Sequence, residues 1–168
     1  MNHPLTIRNW QRTRAVDLRL LRRIIKALLA ELLDIPQADL GIHLVAALEM
    51  TRLNETFLQH KGSTDVITFD YSNHPRPQTS DPRPHLHGEI FICVDEAISQ
   101  ARKFRTIWQS ELVRYIVHGI LHLRGHDDLK SAARREMKRA ENKLLGHLTK
   151  KFDIRRLDKL RPAPRLAA

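Results

Sequence analysis

Residues 118–128 read His-Gly-Ile-Leu-His-Leu-Arg-Gly-His-Asp-Asp, and the interpretation of the whole chain starts from this stretch. The residues before it predict a helix that ends at Gly125, because glycine is favoured just beyond a helix terminus. His118 and His122 are four residues apart, so both imidazoles project from one face of that helix, about one turn from each other. Beyond the glycine the chain can turn back, and Asp128 then falls where a third ligand belongs. The stretch predicts a metal site made of His118, His122 and Asp128.

The predicted donor set suits zinc. Zn²⁺ accepts histidine nitrogen and carboxylate oxygen, and a site with three protein ligands leaves one position open for water. Two helical histidines followed by a ligand beyond a glycine form the arrangement of zincin-like sites. His126 directly follows the glycine, so its side chain is not expected to continue the row of imidazoles. We therefore expect one zinc ion on a zincin-like helix.

Two other interpretations of this stretch stay open at the level of sequence. A bare His-x-x-x-His is also typical of hydrogen-bonded histidines on a half-buried helix, and aspartates near a helix start often act as caps. A zinc peptidase carries a glutamate directly after its first histidine as general base, but Gly119 stands at that position. Peptide hydrolysis would therefore need another base, such as Glu89 or Asp127.

Strand-like and helix-like segments alternate along the rest of the chain. β-branched and aromatic residues predict strands at 5–7, 41–48, 65–71 and 88–94. Apolar spacing and capping residues predict helices from Asp17 to Pro36, at 50–57, from Asp95 to Ala101, from Ser110 to Gly125 and from Ser131 to Gly146. The segments do not follow a strict βαβ rhythm, so we expect an α/β (α+β) fold with one small mixed four-stranded sheet packed with helices.

Length and composition predict a single domain. The chain has 168 residues, enough to bury a substantial core, and we place the domain at 1–149. Residues 72–87 contain four of the eight prolines and three histidines, which predicts a long loop. Residues 150–168 carry seven basic and two acidic side chains and two prolines, so we expect a basic, flexible C-terminal tail.

Charge and cysteine usage limit the classes of partner and compartment. Lys and Arg number 29 against 19 Asp and Glu, which gives a net charge of +10 and favours a polyanionic partner such as nucleic acid. Cys93 is the only cysteine, which excludes a Cys-rich zinc site and is typical of the reducing cytoplasm. The N-terminal residues lack the apolar core of a signal peptide, and apolar runs are too short to span a membrane. We expect a cytoplasmic location and no membrane association.

Four motifs together resemble those of the YbeY-type metal-dependent endoribonucleases. Residues 118–128 are similar to the family signature His-Gly-x-Leu-His-Leu-x-Gly-Tyr-Asp-His. Residues 53–57, Leu-Asn-Glu-Thr-Phe, and 63–69, Ser-Thr-Asp-Val-Ile-Thr-Phe, look like the family segments Leu-Asn-x-x-Tyr/Phe-Arg and Pro-Thr-Asp-Val-Leu-Ser-Phe. Residues 87–92, His-Gly-Glu-Ile-Phe-Ile, resemble the family strand Leu-Gly-Asp-Ile-x-Ile. The resemblance extends from about Leu5 to Leu145.

The resemblance implies a function and a set of partners. It implies a zinc-dependent endoribonuclease of the single-strand type that acts in maturation of the 3′ end of small-subunit ribosomal RNA and in ribosome quality control. It implies ribosomal RNA or the small ribosomal subunit as partner, with ribosomal or GTPase proteins as candidate protein partners. Asp127 matches the family's aspartate and is expected to hold a ligand or the turn in place. A non-catalytic ribosome- or RNA-binding module with a structural metal is the alternative.

Two positions depart from the family pattern. The family's third metal histidine aligns with Asp128, which keeps a ligand type but adds a negative charge that makes a bound water less acidic. The family's arginine after the aromatic residue, a cation that could hold a phosphate, aligns with Leu58. Arg124, His60 and Lys61 are the candidates to replace that cation.

Overall fold

A four-stranded mixed sheet forms the centre of the computed structural model, which describes residues 4–72 and 85–160. Its strands are β1 (Leu5–Asn9), β2 (Gln37–Val45), β3 (Val66–Asp70) and β4 (His85–Cys93). The order across the sheet is β1-β2-β4-β3; β1, β2 and β4 are parallel, and β3 is antiparallel to β4. The predicted α/β fold with a small mixed sheet is confirmed.

Five α-helices accompany the sheet within the described residues. They are α1 (Leu18–Ala27), α2 (Ala47–Leu53), α3 (Val94–Phe104), α4 (Trp108–Leu123) and α5 (Ser131–Lys151). Short π-helical segments, Leu28–Leu32 and Asn54–Leu58, continue α1 and α2, and a 3₁₀ helix, Ile154–Leu157, follows α5. Within the described ranges, no helix has the length and apolar character needed to cross a membrane.

The main core lies between one face of the sheet and the helices. Side chains alternate between the two faces of a strand, and Ile90 and Ile92 of β4 point into this core. Glu89 precedes Ile90, and Phe91 lies between the two isoleucines. Both residues are on the opposite face of the sheet and are half-buried. Helix α1 and the π-helical segment that continues it contribute an apolar stripe to this core, which includes the fully buried residues Leu21, Ile25 and Leu28.

Two glycines allow α4 to lie close against the sheet. A Cβ atom at Gly119 would come within 2.7 Å of Cγ2 of Ile90. A Cβ atom at Gly88 would come within 2.9 Å of Cδ2 of Leu123 and 2.4 Å of the backbone oxygen of Phe69. Interiors are packed too densely for a side chain to fit at such distances. The helix that carries the histidines is therefore held directly on β4.

Several predicted boundaries are wrong. The strand predicted at 41–48 is β2, which ends at Val45, and Leu48 lies exposed on α2. Helix α4 begins at Trp108, two residues before Ser110. The predicted loop 72–87 overlaps β4, which begins at His85, and residues 73–84 lie outside the described residues.

Asp95 does not cap α3 as predicted, because that helix begins at Val94 without a side-chain cap. Its carboxylate instead accepts hydrogen bonds from the backbone N–H of Ala47 at 2.6 Å and from the hydroxyl of Thr13 at 2.9 Å. Asp95 therefore satisfies an N-terminal amide of α2, a helix that has no cap of its own.

The expectation of a flexible tail from residue 150 is wrong as far as Leu160. Helix α5 passes Gly146 and ends at Lys151, and Ile154 and Leu157 of the 3₁₀ helix are buried in the main core. Val16 forms an isolated bridge with Asp158. The numerous charges of this segment concealed its few apolar residues, which have tertiary partners. Residues 161–168 lie outside the part of the chain that the structure describes.

Candidate metal centre

Helix α4 and the turn that follows it bring three donor side chains together. The Nε2 atoms of His118 and His122 lie 3.0 Å apart. Oδ2 of Asp128, in the turn before α5, lies 3.8 Å from each of these nitrogens. Within residues 4–72 and 85–160, this is the one group of three or more histidine, cysteine or acidic residues whose donor atoms converge in this way. The structure thus brings the three predicted ligands to one point.

The spacing of the three atoms fits a single zinc ion. The circle through them has a radius of about 2.1 Å, which lies within the usual range of Zn–N and Zn–O bond lengths. Two imidazole nitrogens and one carboxylate oxygen are donors that zinc accepts, and they leave a coordination position free for water or substrate. The side chain of Asp128 is 39% exposed, so the centre opens to solvent.

Both imidazoles are oriented by a partner at the other ring nitrogen. Nδ1 of His118 lies 2.5 Å from Oε1 of Glu141, and Nδ1 of His122 lies 3.1 Å from the backbone oxygen of His126. Each of these acceptors favours a proton on Nδ1, which leaves the lone pair of Nε2 for a metal. The two histidines are therefore prepared as ligands through Nε2.

Sequence reasoning missed Glu141. This residue lies on α5 four residues after Met137 and three before Leu144, so it shares their buried helix face. Its side chain is only 10% exposed. A carboxylate on an apolar face requires a partner, because an unpaired buried charge is costly. That break in the apolar pattern was the available sequence signal.

The pair of His118 and Glu141 favours the charged form of both groups. Burial acts to lower the pKa of His118, but the hydrogen bond and negative charge of Glu141 outweigh it and hold the pKa above its ordinary value. Burial acts to raise the pKa of Glu141, but His118 and Arg114 hold that pKa below its ordinary value. A metal ion at Nε2 of His118 would therefore compete with protonation of that nitrogen, so its binding should weaken as the pH falls.

The other predicted residues lie around the centre. Asp127 accepts a hydrogen bond at Oδ1 from the backbone N–H of Leu129 at 2.8 Å, so it holds the turn. Arg124 is exposed at the end of α4. It does not line the cleft beside His118, and neither do His60 and Lys61. None of the three proposed replacements for the family's arginine is thus at the cleft wall.

The centre lies in a cleft between α4 and α5 with a volume of about 260 Å³. His118, Asp128 and Glu141 contribute to its wall, together with the carboxylate of Asp65. Arg114 also reaches this wall and lies 3.5 Å from Oε2 of Glu141. The cleft provides room for a substrate group next to the three donor atoms.

Comparison with known proteins identifies the family. A family model described as "Endoribonuclease YbeY" matches residues 6–149, which include the whole histidine stretch. This chain belongs to the YbeY family. The YbeY family is described as an endoribonuclease, which is a hydrolase acting on RNA.

Individual relatives carry the same description. Endoribonuclease YbeY from Salinibacter ruber is 32% identical over 147 residues, which cover 85% of this chain and 90% of that protein. The proteins of the same name from Myxococcus xanthus and Bacteroides thetaiotaomicron are 35% and 39% identical. Their alignments cover 76% and 58% of this chain, and 42% and 65% of the relatives. This chain thus matches under two thirds of those two relatives.

A solved structure has a similar fold. The solution structure of TM1509 from Thermotoga maritima superimposes with a TM-score of 0.62 and is 24% identical in sequence. The match covers 96% of this chain and 99% of that one. The arrangement of sheet and helices is therefore one that another protein also adopts over nearly its full length.

Proposed function

We propose that this chain is a zinc-dependent endoribonuclease of the single-strand type that acts in maturation of the 3′ end of small-subunit ribosomal RNA and in ribosome quality control. The observation that carries the proposal is the convergence of His118, His122 and Asp128 at zinc-binding distances in a cleft open to solvent. The description of the YbeY relatives supports RNA as the substrate. The net charge of +10 supports a polyanionic partner and is consistent with a ribosomal one.

Each residue of the centre has a distinct role in the proposed mechanism. Zinc, when bound, supplies Lewis acidity toward a phosphate or water oxygen. His118 and His122 hold the metal from one helix face, and Asp128 holds it from the turn. Glu141 keeps the proton of His118 on Nδ1, so that Nε2 stays available as a ligand.

The position of Asp128 depends on its neighbours. Nε of Arg134 donates a hydrogen bond to the backbone oxygen of Asp128 at 3.0 Å, and Asp127 holds the same turn through the amide of Leu129. These contacts fix a ligand that lies on a turn rather than on a helix. Arg134 also places a positive charge at the wall of the same cleft.

A non-catalytic ribosome- or RNA-binding module with a structural metal is the second candidate. Leu58 favours it, because an exposed apolar side chain stands where the family pattern has an arginine. A zinc peptidase has less support. Gly119 packs too closely on Ile90 to be replaced by a glutamate. Glu89, the alternative base, accepts hydrogen bonds from His43 and Tyr71 on the opposite face of the sheet.

A chelation experiment tests the proposal. The purified protein is incubated with a small-subunit ribosomal RNA fragment that carries a single-stranded 3′ extension, before and after metal removal and with zinc, manganese or magnesium restored. We expect cleavage that chelation abolishes and zinc restores, and no cleavage of casein. The matched control is His118→Ala, which should bind RNA without cleaving it. RNA binding without cleavage by the zinc-loaded wild-type protein would favour the binding module instead.

A further inference from the structure

Helix α5 presents two basic side chains to the cleft of the metal centre. Arg134 and Lys138 are four residues apart, so they lie on one face of the helix, and both line the cleft together with His118 and Asp128. Both side chains are exposed. Sequence reasoning placed no function on either residue, because isolated basic residues on a helix are usually solvated. Their shared position at the cleft wall distinguishes them from the other charges of α5.

The charges of Arg134 and Lys138 are not neutralised within the protein. Neither side chain forms an ion pair with any residue in the described ranges, and Arg134 uses only Nε, toward a backbone oxygen. Arg114, the third cation at the cleft, is committed differently. It lies 3.5 Å from Glu141 and 3.9 Å from Glu111, and it donates a hydrogen bond to the side chain of Asn142 at 2.8 Å. The uncommitted cations of the cleft are therefore those of α5.

The other side chains of the cleft wall explain why an anionic substrate needs the two cations of α5. Asp65, Asp128 and Glu141 contribute three carboxylates to the same cleft, and these repel a phosphodiester. Lys138 and the terminal nitrogens of Arg134 keep donors that no group in the described residues accepts, and these match the many acceptor oxygens of a phosphate group.

The position of Arg134 along α5 is unfavourable for the helix itself. The N-terminus of a helix carries a partial positive charge and favours acidic residues, but the first turn of α5 contains none. Arg134 is the fourth residue of the helix and adds a positive charge to this turn. Sites that break a local rule of this kind are often functional, because the cost to the helix is offset elsewhere.

We propose that Arg134 and Lys138 form a phosphate-binding pair that holds the RNA backbone at the α5 side of the metal centre. This inference rests on the proposed function, because it names the residues that contact the substrate of that function. RNA then enters over α5. The two side chains supply the positive charge that is missing at Leu58, where the family pattern has an arginine. The guanidinium of Arg134 links the phosphate to the turn that carries Asp128.

The test compares two charge-matched double variants by RNA binding. R134Q/K138Q removes the proposed pair, and R135Q/R139Q removes two exposed arginines with the same spacing that do not line the cleft. Binding of a fluorescent single-stranded 2′-O-methyl RNA to the zinc-loaded protein is measured by anisotropy over a range of salt concentrations. We expect R134Q/K138Q to lose about tenfold in affinity, and its log–log salt slope to fall by roughly 0.7 for each phosphate contact removed. The control variant should keep the wild-type slope.

Three readouts separate the outcomes. Equal losses of RNA affinity in both double variants, or wild-type affinity in R134Q/K138Q, would show that Arg134 and Lys138 do not form a phosphate-binding pair. The single variant K138Q, which leaves the hydrogen bond of Arg134 to Asp128 intact, should show about half of the change in slope. Zinc content should be unchanged in K138Q and R135Q/R139Q, and all RNA binding is measured at saturating zinc, so that a weakened metal centre in R134Q/K138Q does not account for the loss. Absence of RNA cleavage by the wild-type protein would contradict the proposed function alone. The binding comparison would still show whether Arg134 and Lys138 hold the RNA backbone.

Discussion

The part of this molecule that the structure describes contains two histidine–glutamate pairs, which differ in the ring nitrogen that stays available. In the cleft, His118 contacts Glu141 through Nδ1, and its Nε2 faces the other two donors of the metal centre. On the opposite face of the sheet, away from the main core, both ring nitrogens of His43 form hydrogen bonds. Its Nδ1 accepts a hydrogen bond from Nε1 of Trp10 at 3.3 Å, and its Nε2 donates to Oε1 of Glu89 at 3.1 Å. The second pair is therefore closed to a metal.

The surroundings strengthen this contrast. The ring of His43 stacks on Phe91 with 4.4 Å between centroids, and Tyr71 donates to the second carboxylate oxygen of Glu89 at 2.9 Å. This cluster is a satisfied polar network that packs like part of a core. The two pairs thus differ in the nitrogen that stays available: only His118 directs a free nitrogen toward further donors, as a metal ligand would.

The largest difference between the two pairs should appear when a histidine is removed from each of them. We expect His118→Ala or His122→Ala to reduce bound zinc from near one equivalent to a trace, because each removes one of three ligands. His43→Ala should keep its zinc. Metal content of the purified variants is measured by atomic emission, with circular dichroism to show that each variant is folded. Near-stoichiometric zinc in both cleft variants would rule out the site.

The second prediction concerns the ligand on the turn. Asp128→Ala should weaken zinc binding by more than about a hundredfold, because it leaves two ligands and a more exposed site. Asp128→His should retain the metal, since it restores a nitrogen donor at the same place. His126→Ala should change little, because only the backbone oxygen of His126 contacts the centre. Competition with a chromogenic chelator gives the affinities, and loss of zinc in His126→Ala but not in Asp128→Ala would reverse the assignment.

The third prediction exchanges the two glutamates. Glu141→Gln should lower zinc affinity by about 10- to 100-fold, the usual effect of removing a carboxylate that supports a histidine ligand. Glu89→Gln should leave zinc affinity unchanged, because its partners do not face a metal. Isothermal titration with zinc measures both, and an equal effect of the two substitutions would remove the distinction between the pairs.

The smallest effect is expected in stability. His43→Ala should lower the free energy of unfolding by about 1–3 kcal/mol, because a buried ring that stacks on Phe91 and hydrogen-bonds to Trp10 and Glu89 is lost. Urea denaturation measures this change, with the metal removed from both wild type and variant. An unchanged denaturation midpoint would show that the cluster around His43 contributes little to the stability of the protein.

Features that depend on local spacing could be predicted from the sequence. The two histidines on one helix face, the cap that Asp17 provides for α1 and the strand character of residues 66–70 all follow from residues close together in the chain. The place of Asp128 also followed, because a glycine turn limits where the next ligand can return. These elements include one strand of the sheet and the three proposed ligands.

Features that depend on distant partners could not be predicted in the same way. Glu141 lies 23 residues from His118, and Asp95 lies 48 residues from the helix amide that it binds. Residues 152–157 have too few apolar side chains to form a recognisable pattern, yet Ile154 and Leu157 are buried. In each case tertiary packing determines the role of the residue, and periodicity does not record it.

The contact between the two ends of the described chain has a consequence for synthesis on the ribosome. The backbone of residues 15–17 emerges early, but its hydrogen-bond partners are Leu157 and Lys159, each at 2.9 Å. The apolar face of α1 consequently stays uncovered at this end until nearly all of the described chain has been translated. Exposed apolar surface of this kind favours chaperone binding and aggregation. The 3₁₀ helix cannot dock onto α1 until Ile154–Leu157 have been translated, and a nascent chain that stops before Ile154 lacks this contact.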